Sequence, residues 1–112
     1  MAAGDWKDML KGIQMGDFEL VKYYLKEGVD PNYQHPEFLT TPLIESIENG
    51  HIEITKLLLD SGADPHLKVG LSDDTPWKVA KKMKCKDTID LLEPFYRSKI
   101  KIYVLKILRI TS

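Results

Sequence analysis

The chain repeats itself every 34 residues. Displaced by that amount, Gly16 falls on Gly50, Glu19 on Glu53, Lys22 on Lys56, Leu25 on Leu59, Gly28 on Gly62, Asp30 on Asp64 and Pro31 on Pro65. A second displacement sets Thr75-Pro76 on Thr41-Pro42 and Leu91-Leu92 on Leu57-Leu58. Seven coincidences without an internal gap constrain the fold more tightly than any count of residue types. A period of a few tens of residues means a stack of small units, none of which can bury its apolar face alone.

The clearest unit runs from Thr41 to Asp64, TPLIESIENGHIEITKLLLDSGAD. Thr41 can accept a hydrogen bond from an orphan amide at a helix start, and Pro42 at the first helical position loses no bond. Asn49-Gly50-His51 makes a tight turn. Ile52, Ile54, Leu57, Leu58 and Leu59 form a wide apolar stripe at helical spacing. Gly62 supplies the left-handed backbone that closes a helix. These signals predict a pair of short helices. With Thr41-Pro42-Leu43, Gly50-His51, Leu57-Leu58-Leu59 and Gly62-Ala63-Asp64, the stretch resembles an ankyrin repeat. That family's period is about 33 residues, so each connecting loop is expected to be one residue longer than usual. The resemblance implies an all-α solenoid of about three helix-turn-helix units joined by β-turn fingers. Ile44 stands where the family usually has a hydrogen-bonding histidine, so this unit is expected to lean on packing and on Thr41. Ser46 stands where the family usually has a packed alanine.

The first repeat is placed at about residues 5–33. Its outer helix, the first of the pair, starts near Trp6 and carries Met9, Leu10, Ile13 and Met15. Gly16-Asp17 turns the chain into an inner helix with Phe18, Leu20, Val21, Tyr24 and Leu25. Lys7-Asp8-Met9 replaces the Thr-Pro-Leu start, as expected of a terminal unit that must show water a polar face. The second repeat spans 40–66 and the third 74–95. The third opens at Thr75-Pro76-Trp77, lacks a glycine in its turn Met83-Lys84-Cys85-Lys86, and is expected to end at Pro94, which cannot continue a helix. The resemblance makes fingers of 33–40, with a turn signal at His35-Pro36, and of 67–74, where Gly70 is free to adopt positive φ. The repeat domain is placed at 1–96. The remaining 97–112, RSKIKIYVLKILRITS, has five basic residues and no acid. It alternates like a strand yet also fits one helical face, which leaves a capping helix, an edge strand or a truncated end.

A chain of 112 residues suffices for one continuous core. Its net charge of −1 hides two unlike halves: residues 1–64 hold 5 lysines and 12 acids, for −7, and residues 65–112 hold 11 Lys or Arg and 5 acids, for +6. The single cysteine, Cys85, rules out an internal disulfide and the common cysteine-based metal sites. The amino terminus lacks a basic-then-apolar signal pattern, and the apolar cluster 100–110 is too short to span a bilayer. A cytoplasmic setting is expected.

Catalytic chemistry finds no foothold. His35, His51 and His66 share no ligand spacing and read as structural or exposed. Glu45, Glu48, Asp60 and Asp64 lack a matching nucleophile, oxyanion donor or cofactor loop, and Ser46 and Ser61 lie in no nucleophile elbow. Cys85 reads as an incidental turn thiol despite its lysine neighbours. No cofactor and no metal is expected, and the chain is not expected to be an enzyme. Lys78, Lys81 and Lys82 share a helix face at i, i+3 and i+4 and read as a solvated face, without the interleaved aromatics of a nucleic-acid binder. The resemblance instead implies a protein-binding surface, at the finger tips and the concave face of the outer helices. By position this selects Tyr33, His35, Phe38 and Leu39 on the first finger, and Gln14, Met15, Glu48, Asn49, Lys82 and Met83 on the helices. The expected partner is another protein. Alternatives are an electrostatic binder of nucleic acid or an anionic surface through Lys78–Lys86 and the tail, and weak head-to-tail self-association of an otherwise monomeric chain.

Overall fold

A computed structural model describes residues 5–34, 40–69 and 74–97. These hold α1 (Asp5–Met15), α2 (Phe18–Lys26), α3 (Pro42–Glu48), α4 (Ile52–Asp60) and α5 (Pro76–Lys82). A sixth helix, α6, occupies 86–97. No strand occurs among the described residues. The fold is an all-α repeat solenoid.

The ends of the helices are set by local chemistry. Thr41 accepts from the Ile44 amide at 3.0 Å, and Thr75 accepts from Lys78 at 3.2 Å in the equivalent place. Asp17 caps α2 by accepting from Leu20 at 3.2 Å. The first five helices end in one hydrogen-bond pattern, in which a left-handed residue and its successor close back on the last turn. After α2, the amides of Gly28 and Val29 reach the carbonyls of Leu25 and Tyr24; after α4, those of Gly62 and Ala63 reach Leu59 and Leu58. Gly28 and Gly62 have φ of +99° and +100°. The same closure turns α1 into α2 at Gly16, α3 into α4 at Gly50, and α5 into α6 at Lys84. Lys84, at φ +53°, is the one non-glycine with positive φ among the described residues. The lost glycine has therefore not changed the turn.

Met9, Ile13, Val21, Val29, Leu43, Ile44, Ile47, Ile54, Leu58, Ala63, Val79, Ala80 and Leu92 form one cluster drawn from all three helix pairs. Within hairpins α1 packs on α2 and α3 on α4, and between units α1 packs on α3, α3 on α5 and α2 on α4. Ile44 is 1% exposed and packs, as expected. Ser46 does more than pack. Its hydroxyl lies 2.7 Å from the Leu43 carbonyl and 2.8 Å from the Thr55 hydroxyl, which lies 3.1 Å from the His51 carbonyl. The two hydroxyls hold two protons between them, so two of the three contacts are hydrogen-bonded at a time, and the buried pair ties α3 to α4 with no proton left over.

Two expectations are corrected. The first helices were expected to be the outer row, but α1, α3 and α5 share a groove with the finger bases at Thr40, Val69 and Asp74 and so form the inner row. Pro94 was expected to end the third unit, but α6 runs through it to 97. Pro94 lacks the amide that would bond Asp90, four residues earlier, and crowds its carbonyl, but both residues are exposed, so water can satisfy the freed carbonyl. Across it, Glu93 pairs with Arg97. Tyr96 donates to the Pro65 carbonyl at 2.6 Å and packs its ring 5.1 Å from Trp77 and 4.3 Å from His66. These tertiary contacts hold the last turn. The tail beyond 97, whose structure was left open among three alternatives, lies outside the described residues.

Candidate functional site

The first helices carry equivalent positions 34 residues apart, Gln14, Glu48 and Lys82, and this row runs beside a groove of about 330 Å³. Its walls are Leu10 and Gln14 from α1, Glu45 and Glu48 from α3, Val79 from α5, and Thr40, Val69 and Asp74 from the finger bases. The second finger base is closed by the Val69 amide donating to the Asp74 carbonyl at 3.2 Å.

Glu45 organises the groove, a role its spacing alone does not reveal. Its carboxylate accepts from the Gln14 amide at 3.0 Å and from the Thr40 hydroxyl at 3.1 Å, while its carbonyl accepts from the Asn49 side chain at 2.8 Å. One residue thus links α1, the first finger base and the end of α3. Glu48 is exposed and its carboxylate makes no hydrogen bond or ion pair among the described residues. Partial burial, and then the Glu45 and Asp74 carboxylates, push its pKa upward against the opposing pull of Lys82. Lys82 meets Asp74 at 3.4 Å.

The structure brings Gln14, Glu48 and Lys82 to this groove and its edge. Met15, Asn49 and Met83 fall instead on the hairpin tips, where Met15 is 69% and Met83 49% exposed. Tyr33 is 39% exposed and sets its ring 5.2 Å from Trp6, at the start of α1. His35, Phe38 and Leu39 lie outside the described residues. Of the three lysines of α5, Lys81 lies over the Trp77 ring at 5.2 Å and Lys82 meets Asp74 at 3.4 Å.

Side chains also bridge successive units. Asn32 donates to the Gly62 carbonyl at 3.1 Å and accepts from the Asp64 amide at 2.7 Å, bridging the loop of one unit to the next. Gln34 donates to the Lys68 carbonyl at 2.8 Å. The His51 ring sits 3.2 Å from the Gln14 carbonyl, against Gly16 of the preceding turn. The repeat pattern hides Asn32, because its equivalent one period later is His66. In the last unit Tyr96 takes over that bridging task through Pro65.

Three stacked helix pairs, the first two closed by left-handed glycines, agree with the family comparison: residues 9–102 fit the family model for ankyrin repeats, in 3 copies. The chain belongs to the ankyrin repeat family. No curated protein matches it. Ankyrin repeats are generally protein–protein interaction modules. In this ankyrin chain no group of three or more His, Cys, Asp or Glu among the described residues is placed to hold a metal ion. No helix among them is long and apolar enough to cross a membrane.

Proposed function

We propose that this chain is a non-catalytic binding module that holds a segment of another protein in the groove between its first helices and its finger bases. The observation that carries this reading is the groove itself, which draws on α1, α3, α5 and both finger bases. A surface made by all three helix pairs, and tied by Glu45, Asn32 and Gln34, is formed before any partner arrives. Binding to it carries little ordering cost, and its modest size favours moderate affinity or avidity. The first finger, including Tyr33, extends the surface, and the repeat domain is taken as 1–96 with the basic tail outside it.

Gln14→Trp tests the reading, because Gln14 is exposed and a large ring there fills the groove without altering its charge. Partners captured by the wild-type chain from a source extract, then purified, should lose binding to the variant while circular dichroism shows its fold intact. Undiminished binding by a folded variant would refute the groove as the binding surface.

A further inference from the structure

The groove combines two kinds of wall. Leu10, Val69 and Val79 contribute apolar surface from three separate elements, while Glu45, Glu48 and Asp74 contribute carboxylates. Among the described residues, its lining includes no lysine, arginine or histidine. Glu45 is already held by Gln14, Thr40 and Asn49, so its charge stays in place at no further ordering cost. Glu48 has no hydrogen-bond or ion-pair partner among the described residues, and Lys82 reaches Asp74 only from the edge, through an exposed contact of 3.4 Å. Such an exposed pair is worth little and is readily exchanged. The groove lies where the two halves meet, with Leu10, Gln14, Thr40, Glu45 and Glu48 from residues 1–64 and Val69, Asp74 and Val79 from residues 65–112, so its local field is set by its own three carboxylates, which favour the approach of a cationic segment.

Building on the groove reading above, we propose that the occupant is a basic peptide segment of a partner protein, with a lysine or arginine on Glu48 and Asp74 and an adjoining aliphatic side chain against Leu10, Val69 and Val79. An arginine fork can engage a carboxylate through two parallel bonds, and a lysine can engage it as a point charge. The cationic group relieves the mutual repulsion of the three carboxylates. The neighbouring apolar contact then favours such a segment over a bare polycation. A nucleic acid, whose phosphates would face these carboxylates, is disfavoured at this face.

The test is a phage-displayed library of random peptides selected on the full chain. Enriched sequences are then synthesised and measured by fluorescence polarisation against the wild-type, Glu48→Gln and Gln14→Trp chains, each verified as folded by circular dichroism. The expected result is enrichment of lysine or arginine beside an aliphatic residue. Affinity should fall about tenfold in Glu48→Gln, as for the loss of one charge-assisted contact, and should weaken with salt. Enriched peptides that are acidic or uncharged, or an affinity indifferent to Glu48→Gln, would overturn the basic-segment proposal. The groove reading would survive that outcome if Gln14→Trp still abolished binding. Binding unaffected by Gln14→Trp, or no enrichment at all, would overturn both.

Discussion

Gly16 and Gly50 offer a controlled test of how the units are coupled. Both turn a first helix into a second, with φ of +76° and +72°. Replacing either by alanine places a side chain in left-handed backbone, which costs about 1 kcal/mol, partly offset by the lower entropy of the unfolded alanine chain. Beyond that the two sites differ. A Cβ on Gly50 meets nothing within 4 Å, whereas one on Gly16 lies 2.8 Å from Cε1 and 3.0 Å from Nδ1 of His51. Those atoms belong to the ring that reaches the Gln14 carbonyl at 3.2 Å, so the ring must move and its hydrogen bond is lost. That loss adds about 0.5–1.5 kcal/mol, with further loss of packing. Gly50→Ala should therefore destabilise by about 1 kcal/mol or less, and Gly16→Ala by about 2–3 kcal/mol. Urea unfolding followed by circular dichroism measures both, and in thermal scans each kcal/mol corresponds to roughly 4–8 °C in Tm for a domain of this size. The decisive comparison repeats the pair in a His51→Ala background, where the Gly16→Ala cost should drop to that of Gly50→Ala. Equal costs in the wild-type background, or a Gly16→Ala cost unchanged by removing His51, would refute the claim that His51 locks one unit to the next.

Three further outcomes are expected. Leu58→Ala, at a fully buried position in the central unit, should cost about 2–5 kcal/mol; one cooperative transition seen alike by tryptophan fluorescence and circular dichroism is expected, and separate melting of one unit would contradict the single shared core. Lys84→Gly should stabilise by about 0.5–1 kcal/mol, because glycine relieves a lysine held at φ +53° but loosens the unfolded chain; an unchanged urea midpoint would show no strain there. Glu48→Gln should stabilise slightly at neutral pH, on the order of a few tenths of a kcal/mol after solvent screening. Its folded pKa is raised, so the native state binds the proton more tightly than the unfolded chain does. The destabilisation is then absent below the unfolded pKa and complete once pH has risen above the folded one. The stability difference between variant and wild type should accordingly shrink on acidification, and a difference growing toward low pH would reverse the assigned sign.

The Glu48 and Lys84 predictions point in different functional directions. Lys84 is exposed on a hairpin tip away from the groove residues, so relieving its strain should leave binding untouched. Glu48 carries repulsion that the free chain tolerates and that a cationic occupant removes, so the substitution that stabilises the chain should weaken its binding. A concave charged surface of this kind is a place where stability and recognition are set against each other.

Much of the architecture is legible in the residues because it is local. Thr41 and Thr75 cap through their own hydroxyls, Gly28 and Gly62 turn left-handed because a Cβ would be strained there, and the apolar positions of α4 fall on one face by helical geometry alone. The 34-residue period carries these local rules from unit to unit and so determines the number of helix pairs and the shared core. Even Lys84 obeys the period, keeping a conformation its own side chain disfavours because the chain on either side demands it.

What the tertiary structure decided concerns pairs of residues whose separation in sequence says nothing about their meeting. Glu45 joins Gln14 across 31 residues, Asn32 reaches Gly62 across 30, and His51 reaches Gln14 across 37. None of these pairs recurs intact at the repeat period, so no periodic reading can find them. Which row of helices faces the fingers depends on how the units rotate on one another, and the continuation of α6 past Pro94 depends on Tyr96 finding Pro65 and Trp77. Repetition determined the scaffold, because each unit solves the same local problem. The groove and its charge arise only when unlike residues from successive units are stacked together, which is a property of the assembled surface and of no single repeat.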